Sequence, residues 1–278
     1  MADLAIQAQA QDINFIAKFE SDLHNLLGIL GKTNVMVVAP GTAYKTYKSS
    51  GSLDTSTVAE NAEIPNSGFV MGDATVKELT YSKYRNLTSI EKIGTLGYDV
   101  AVGGSTDAML RDIKKNIRAS IITALSVDGA TTGDAATFQA KIAKAAELLT
   151  VAFEDEVGTP VYFVNPTDAY DYLGTTGITV QNSFGISYIE NFMGLGTIII
   201  DSNVTEGTIY GTACENLDVV AVSVSAIPGM DLVTDETGII GVHTDAAYSN
   251  GAIETVAYSG LSIEPVYEDR VVAVTTTV

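Results

Sequence analysis

The stretch VAENAEIPNSG, residues 58–68, combines two acids, an Ile-Pro pair and a run of Asn, Ser and Gly. It leads into DATVKELTYSKYRNLTSI, residues 73–90, which has the look of a strand. Alternation assigns Thr75, Lys77, Leu79, Tyr81, Lys83, Arg85 and Leu87 to one face, and Val76, Glu78, Thr80, Ser82, Tyr84 and Asn86 to the other. Both faces are mixed, so neither is a core face. A two-stranded ribbon on its own is marginal in water. This one is expected to persist because another chain supplies the missing surface.

Working outward, residues 13–30 place Ile16, Phe19, Leu23, Leu26, Leu27 and Leu30 at helical spacing, behind a polar Gln/Ala-rich tail. Val35–Val38 reads as a short strand closed by Pro40-Gly41. Residues 107–125 form the clearest helix, with Leu110, Ile113, Ile117, Ile121 and Ala124 along one stripe. Thr106 and Asp107 are its N-cap candidates, and Asp128-Gly129 is its stop. Arg111, Lys114, Lys115 and Arg118 fall within roughly a 100° arc beside the stripe, at ~100° per residue. That arc is either the wet side of an amphipathic helix or a contact for acidic neighbours or nucleic acid. A second helix is expected at about 135–151, followed by an α/β passage: VYFV as a buried strand, NPTDAYDYLG as turn and helix, YIENFMG as a turn or short helix, and TIIID as a strand. The rest reads as β, over 208–224, 239–243, 252–257 and 261–275.

At 278 residues and 46% hydrophobic, the chain has room for one or two domains with a sizeable core. No basic, apolar leader follows Met1, and no stretch approaches the ~18 to 20 apolar residues of a membrane span. We therefore expect no membrane partner. Cys214 is the only cysteine, which excludes an intrachain disulfide framework. The net charge of −19 is unevenly placed. Residues 1–144 hold 14 of the 15 Lys and Arg with 15 acids, whereas 145–269 hold 19 acids and no Lys or Arg. DNA binding by that second block is unfavourable.

Catalysis finds no foothold. Glu154-Asp155-Glu156 sits at a helix end, where adjacent residues do not face one another. Gly194-x-Gly196 precedes a strand, so it is no phosphate-cradling turn. Gly103-Gly104-Ser105 precedes the basic helix but lacks the Lys of a P-loop, and Asp107 repels anions there. His24 and His243 lie outside any nucleophile motif. No cofactor and no metal are expected, and the chain is not read as an enzyme.

In order and spacing, these pieces resemble the tailed-bacteriophage major capsid proteins of the Hong Kong 97 type, over nearly the whole chain. Members commonly show v-A-E-g-a-x-I-P-x-s in an extended loop, and Val58, Ala59, Glu60, Ala62, Ile64, Pro65 and Ser67 fit it. Asn61 stands where relatives often have Gly, a mild departure because Asn tolerates positive φ. VYFVNPTDAYDYLG at 161–174 is similar to the opening of the family's axial domain, and residues 195–220 to its last long β passage. The resemblance implies an α+β capsid fold. Its parts are an N-terminal arm (1–33), an extended β-hairpin loop region (34–97), a peripheral domain with a long spine helix (98–157), an axial domain (158–256) and return strands to the peripheral domain (257–278). It places Glu60, Asn61, Pro65, Lys77, Lys83 and Arg85 in the inter-subunit loop, and Arg111, Lys114, Lys115 and Arg118 on the basic face of the spine helix.

The resemblance further implies self-assembly through pentamers and hexamers into an icosahedral phage head enclosing double-stranded DNA, held by non-specific contact. A portal protein would be a partner, and assembly would occur in the bacterial host cytoplasm. Because the chain begins about a dozen residues before the arm helix, a separate scaffold protein is expected; none of Lys45, Lys48, Lys77 and Lys83 matches the family's cross-linking lysine, so no covalent cross-link is expected. The alternatives are an encapsulin-like nanocompartment shell, an acidic β-rich surface adhesin and, last, an acid-dependent hydrolase.

Overall fold

A computed structural model describes residues 2–276, apart from 33, 52, 53, 55, 69, 128, 129, 155, 175, 184, 185, 226 and 228. The chain opens with α1 (Ala2–Ile29), β1 (Met36–Val38), β2 (Ala43–Thr46), β3 (Ser49–Ser50), β4 (Val70–Met71), β5 (Thr75–Glu78) and β6 (Ser82–Ser89). Next come α2 (Ile90–Leu96), a π-helical turn (Asp99–Gly103), α3 (Gly104–Leu125), β7 (Thr131–Ala135), α4 (Phe138–Ala152), β8 (Pro160–Val164) and α5 (Pro166–Leu173). The remainder is β9 (Gln181–Ser183), β10 (Ile186–Ile189), β11 (Thr197–Ile200), β12 (Ile209–Ala213), β13 (Leu217–Val222), β14 (Val233–Thr234), β15 (Ile240–Ala247), β16 (Ala252–Ser259), β17 (Leu261–Pro265) and β18 (Val272–Thr276). No helix among the described residues is long and apolar enough to cross a membrane.

A seven-stranded sheet, in the order β7-β18-β12-β8-β11-β10-β9, is the largest. Its central strand explains why VYFV reads as an unbroken apolar run: Val161 and Phe163 join one core while Tyr162 and Val164 join another, so both faces are covered. Ile142, Ala145 and Leu149 of α4 cover the second face. Asn165 caps α5 by accepting from the Thr167 N–H at 2.8 Å, with Pro166 following it.

The other face shares a core with both long helices. Ile113 and Ile117 of α3 and Phe19 and Leu26 of α1 are buried there, as their spacing predicts. Burial of each such side chain stabilises by about 1.5–3 kcal/mol. A four-stranded sheet, β14-β15-β16-β6, adjoins α1, and a three-stranded sheet, β1-β13-β17, adjoins α3. Gly260 links these two sheets at a point where any side chain would collide: a Cβ there would stand 2.7 Å from the Val222 carbonyl oxygen.

Three expectations are corrected. The tail before residue 13 is helical from Ala2, since Ala and Gln are good helix formers and the buried Asp12 anchors it. Thr106 and Asp107 do not cap α3; the π-helical turn runs straight into Gly104, and Thr106 Oγ1 donates back to the Val102 carbonyl at 2.8 Å. The proposed stop at Asp128-Gly129 lies outside the described residues. Strand alternation does not run through 75–87, because the ladder breaks at 79–81: Leu79 is buried against Val220 and Val222, and the Tyr81 hydroxyl donates to the Ser223 carbonyl at 2.7 Å. In addition, β18 lies inside the seven-stranded sheet beside β7 and β12, while β16 pairs with both β15 and β6. The two sheets thus join residues 82–89 with 252–259 and residues 131–135 with 272–276.

Candidate assembly surface

The loop is a hairpin with two distinct parts. Its root is the β2/β5 ladder, in register from Ala43↔Glu78 to Thr46↔Thr75. Beyond it, β3 pairs with β4 through Ser49↔Met71 and Ser50↔Val70. Ile64, Val70, Met71 and Val76 are exposed apolar side chains, Ile64 at 81%. Other exposed apolar side chains, Ile90, Val151 and Tyr248 among them, lie elsewhere on the chain.

The quoted stretch turns at Glu60-Asn61, where the Ala62 N–H donates to the Ala59 carbonyl at 3.0 Å. Asn61 has φ of +66°, the left-handed conformation that Gly would adopt without cost. The Asn-for-Gly departure read in the sequence thus falls at a position that needs such a residue. Glu60 and Asn61 are exposed and Pro65 is half-buried.

The structure separates the loop cations. Lys77 pairs with the buried Glu264 of its own chain. Arg85 is not in the ribbon at all: β6 pairs with β16 residue for residue from Ser82↔Ser259 to Ser89↔Ala252, and Arg85 pairs with Glu254. The ribbon read in the sequence is therefore cut back to the hairpin of 43–78, and 82–89 belongs to a sheet of its own subunit. Lys83 is exposed on β6.

The spine-helix cations divide similarly. Lys114 meets Asp22 of α1 at 2.7 Å, and Arg118 meets the buried Asp201 at 3.6 Å. Arg111 and Lys115 are exposed, with no ion pair among the described residues. The arc read as one basic face is thus half intramolecular clamp and half open surface.

Sequence reading missed the acids that receive these cations. Glu264 and Glu268 are buried, and Glu268 accepts from Thr46 Oγ1 at 2.7 Å. Burial pushes the Glu268 carboxyl up, but hydrogen bonds from Thr46 and Thr75 and the Lys48 ammonium outweigh it and leave it below its ordinary value. Asp12 was also missed. Its carboxylate accepts from Thr244 N–H at 3.0 Å and Thr244 Oγ1 at 2.6 Å, joining α1 to β15. Burial raises its proton affinity, and the Thr244 bonds offset only part of that. The signal available was the charge map: a block of acids with no cations of its own has to find them elsewhere.

No family model matches the chain, and no curated protein matches its sequence. Solved structures do match. The capsid of a native GTA particle aligns over 91% of this chain and 90% of its own, with TM-score 0.60 and 10% identity. The cyanophage A-1(L) capsid aligns over 90% and 92%, with TM-score 0.56 and 12% identity. The SrpI encapsulin of Synechococcus elongatus PCC 7942 aligns over 87% and 84%, with TM-score 0.54 and 8% identity. The chain has the Hong Kong 97-type capsid fold.

Proposed function

We propose that the protein is the major capsid subunit of a phage-type head, which closes with copies of itself into an icosahedral shell around double-stranded DNA. The observation that carries this is the projecting hairpin of 43–78, whose exposed Ile64, Val70, Met71 and Val76 find no core in their own subunit. Laid over a neighbour, those side chains leave water. Head-to-tail contacts of this kind close into rings, here pentamers and hexamers, when the rotation permits. Arg111 and Lys115 supply open positive charge for acids of another copy or for DNA phosphates, without base reading. A separate scaffold and a portal protein complete this reading, with assembly in the bacterial host cytoplasm and the mature protein in the virion.

A second reading, an encapsulin-like compartment for cargo proteins, draws on the match to the SrpI encapsulin. The two separate by what the particles hold. Particles should be recovered from infected or induced host cells, treated with nuclease, and their contents extracted. Protected double-stranded DNA of uniform length supports the phage head; a co-purifying protein with no DNA supports the compartment.

A further inference from the structure

The loop root makes a set of polar contacts that all end on carboxylates of the chain's own C-terminal half. Tyr44 donates its hydroxyl to Asp218 at 3.1 Å. Thr46 donates to Glu268 at 2.7 Å, and Lys48 approaches the other oxygen of Glu268 at 3.5 Å. Lys77, opposite Tyr44 in the ladder, pairs with Glu264, which also accepts from Ser262. The backbone follows the same path, with Tyr47 N–H to the Val266 carbonyl at 3.0 Å and Glu268 N–H back to the Tyr47 carbonyl at 3.2 Å.

The exposures show which partner is fixed. The side chains of Glu264 and Glu268 are 5% and 8% exposed, those of Lys77 and Lys48 47% and 50%. A buried carboxylate without a partner is costly, whereas an exposed ammonium is content in water. The acids are built into the sheet and its following turn, and the loop brings the donors to them. Tyr44 and Thr46 face inward from β2, while Lys45 and Glu78 on the same two strands point outward and take no part.

We propose that Glu264 and Glu268 are positioning residues that aim the extended loop within the isolated subunit, so that its direction is set before any neighbour arrives. The neighbour then receives a preset arm and does not have to order one. Because ordering a segment at the moment of contact is unfavourable, a preset root should also speed assembly. That last step rests on the shell reading; the aiming itself does not.

The test is a charge swap read by amide hydrogen exchange in dilute, unassembled subunits. Lys77→Glu opposes Glu264 with a like charge, and Glu264→Lys opposes Lys77. Each single change should speed exchange of the amides in 43–47 and 75–79 by roughly tenfold, with β8 and β11 unaffected, since a local opening reports its own free energy. The double variant restores the pair with its polarity reversed and should return exchange to within about twofold of the parent. Singles that leave the root unchanged would overturn the proposal, as would a double variant no better than its parents. Should Glu264→Lys fail to fold, Lys77→Met alters only the exposed end of the pair; unchanged exchange in that variant would equally overturn it. Assembly followed by light scattering, well below the thermal midpoint of the variant, should slow in Lys77→Glu. Normal exchange behaviour with no assembly by the parent would instead fault the shell reading.

Discussion

Asp12 and Glu268 are both buried carboxylates, yet their proton affinities move in opposite directions. Glu268 sits below its ordinary value, so its contribution is full above the unfolded pKa, 4.5, and is lost as pH falls through the folded one. Asp12 sits above its ordinary value, so its ionised form weakens the fold at neutral pH, and that penalty vanishes in acid. Replacing Asp12 by Asn keeps an acceptor for the Thr244 N–H without the charge, and stability at pH 7 should stay within ~1 kcal/mol of the parent. Asp12→Leu strands that N–H and should cost ~1–3 kcal/mol. Glu268→Gln should flatten the loss of stability below the ordinary carboxylate range, while Asp12→Asn should steepen it. Denaturant midpoints measured at pH 7 and in mild acid check both; equal costs for the Asn and Leu variants would remove Asp12 from this role.

At the scale of elements, α3 was the most legible part of the chain, because local periodicity alone fixes its buried stripe. Ile113 and Ile117 are 0% and 4% exposed, so Ile117→Asp places an unpaired charge in the core and should unfold the subunit. Arg111→Ala, on the open side, should change stability by less than ~0.5 kcal/mol and show itself in assembly or DNA retention. Soluble yield and thermal midpoint of the two variants test the split, and equal loss from both would contradict it. The buried strands and the arm helix were legible for the same local reason. The pairing of β6 was not, since Arg85 and Glu254 lie 169 positions apart and mixed faces give no hint of a distant partner. Nor was the fate of Lys77, whose acid lies 187 positions away. The α1 start was misread because a Gln/Ala run carries helix propensity but no apolar stripe. Asn61 was the reverse case: one residue, read against the pattern it departs from, located a left-handed turn.

At the scale of the molecule, the acidic block of 145–269 is folded back on the cations that precede it. Glu254, Glu264, Glu268, Asp201 and Asp168 pair with Arg85, Lys77, Lys48, Arg118 and Lys141 respectively. These pairs lie within the subunit, and the exposed apolar side chains of the loop and the exposed Arg111 and Lys115 are among the groups left open to a neighbour. The seven-stranded sheet and its two cores do not depend on the loop tip, since none of their described residues comes from 51–69. Electron microscopy of the purified protein beside a chain in which 51–68 is replaced by a short Gly-Ser linker tests the central claim most directly. The account expects closed hollow shells, or five- and six-membered rings, from the parent, and only folded, unassembled subunits from the shortened chain. Monodisperse monomers from the parent, or normal shells from the shortened chain, would contradict it.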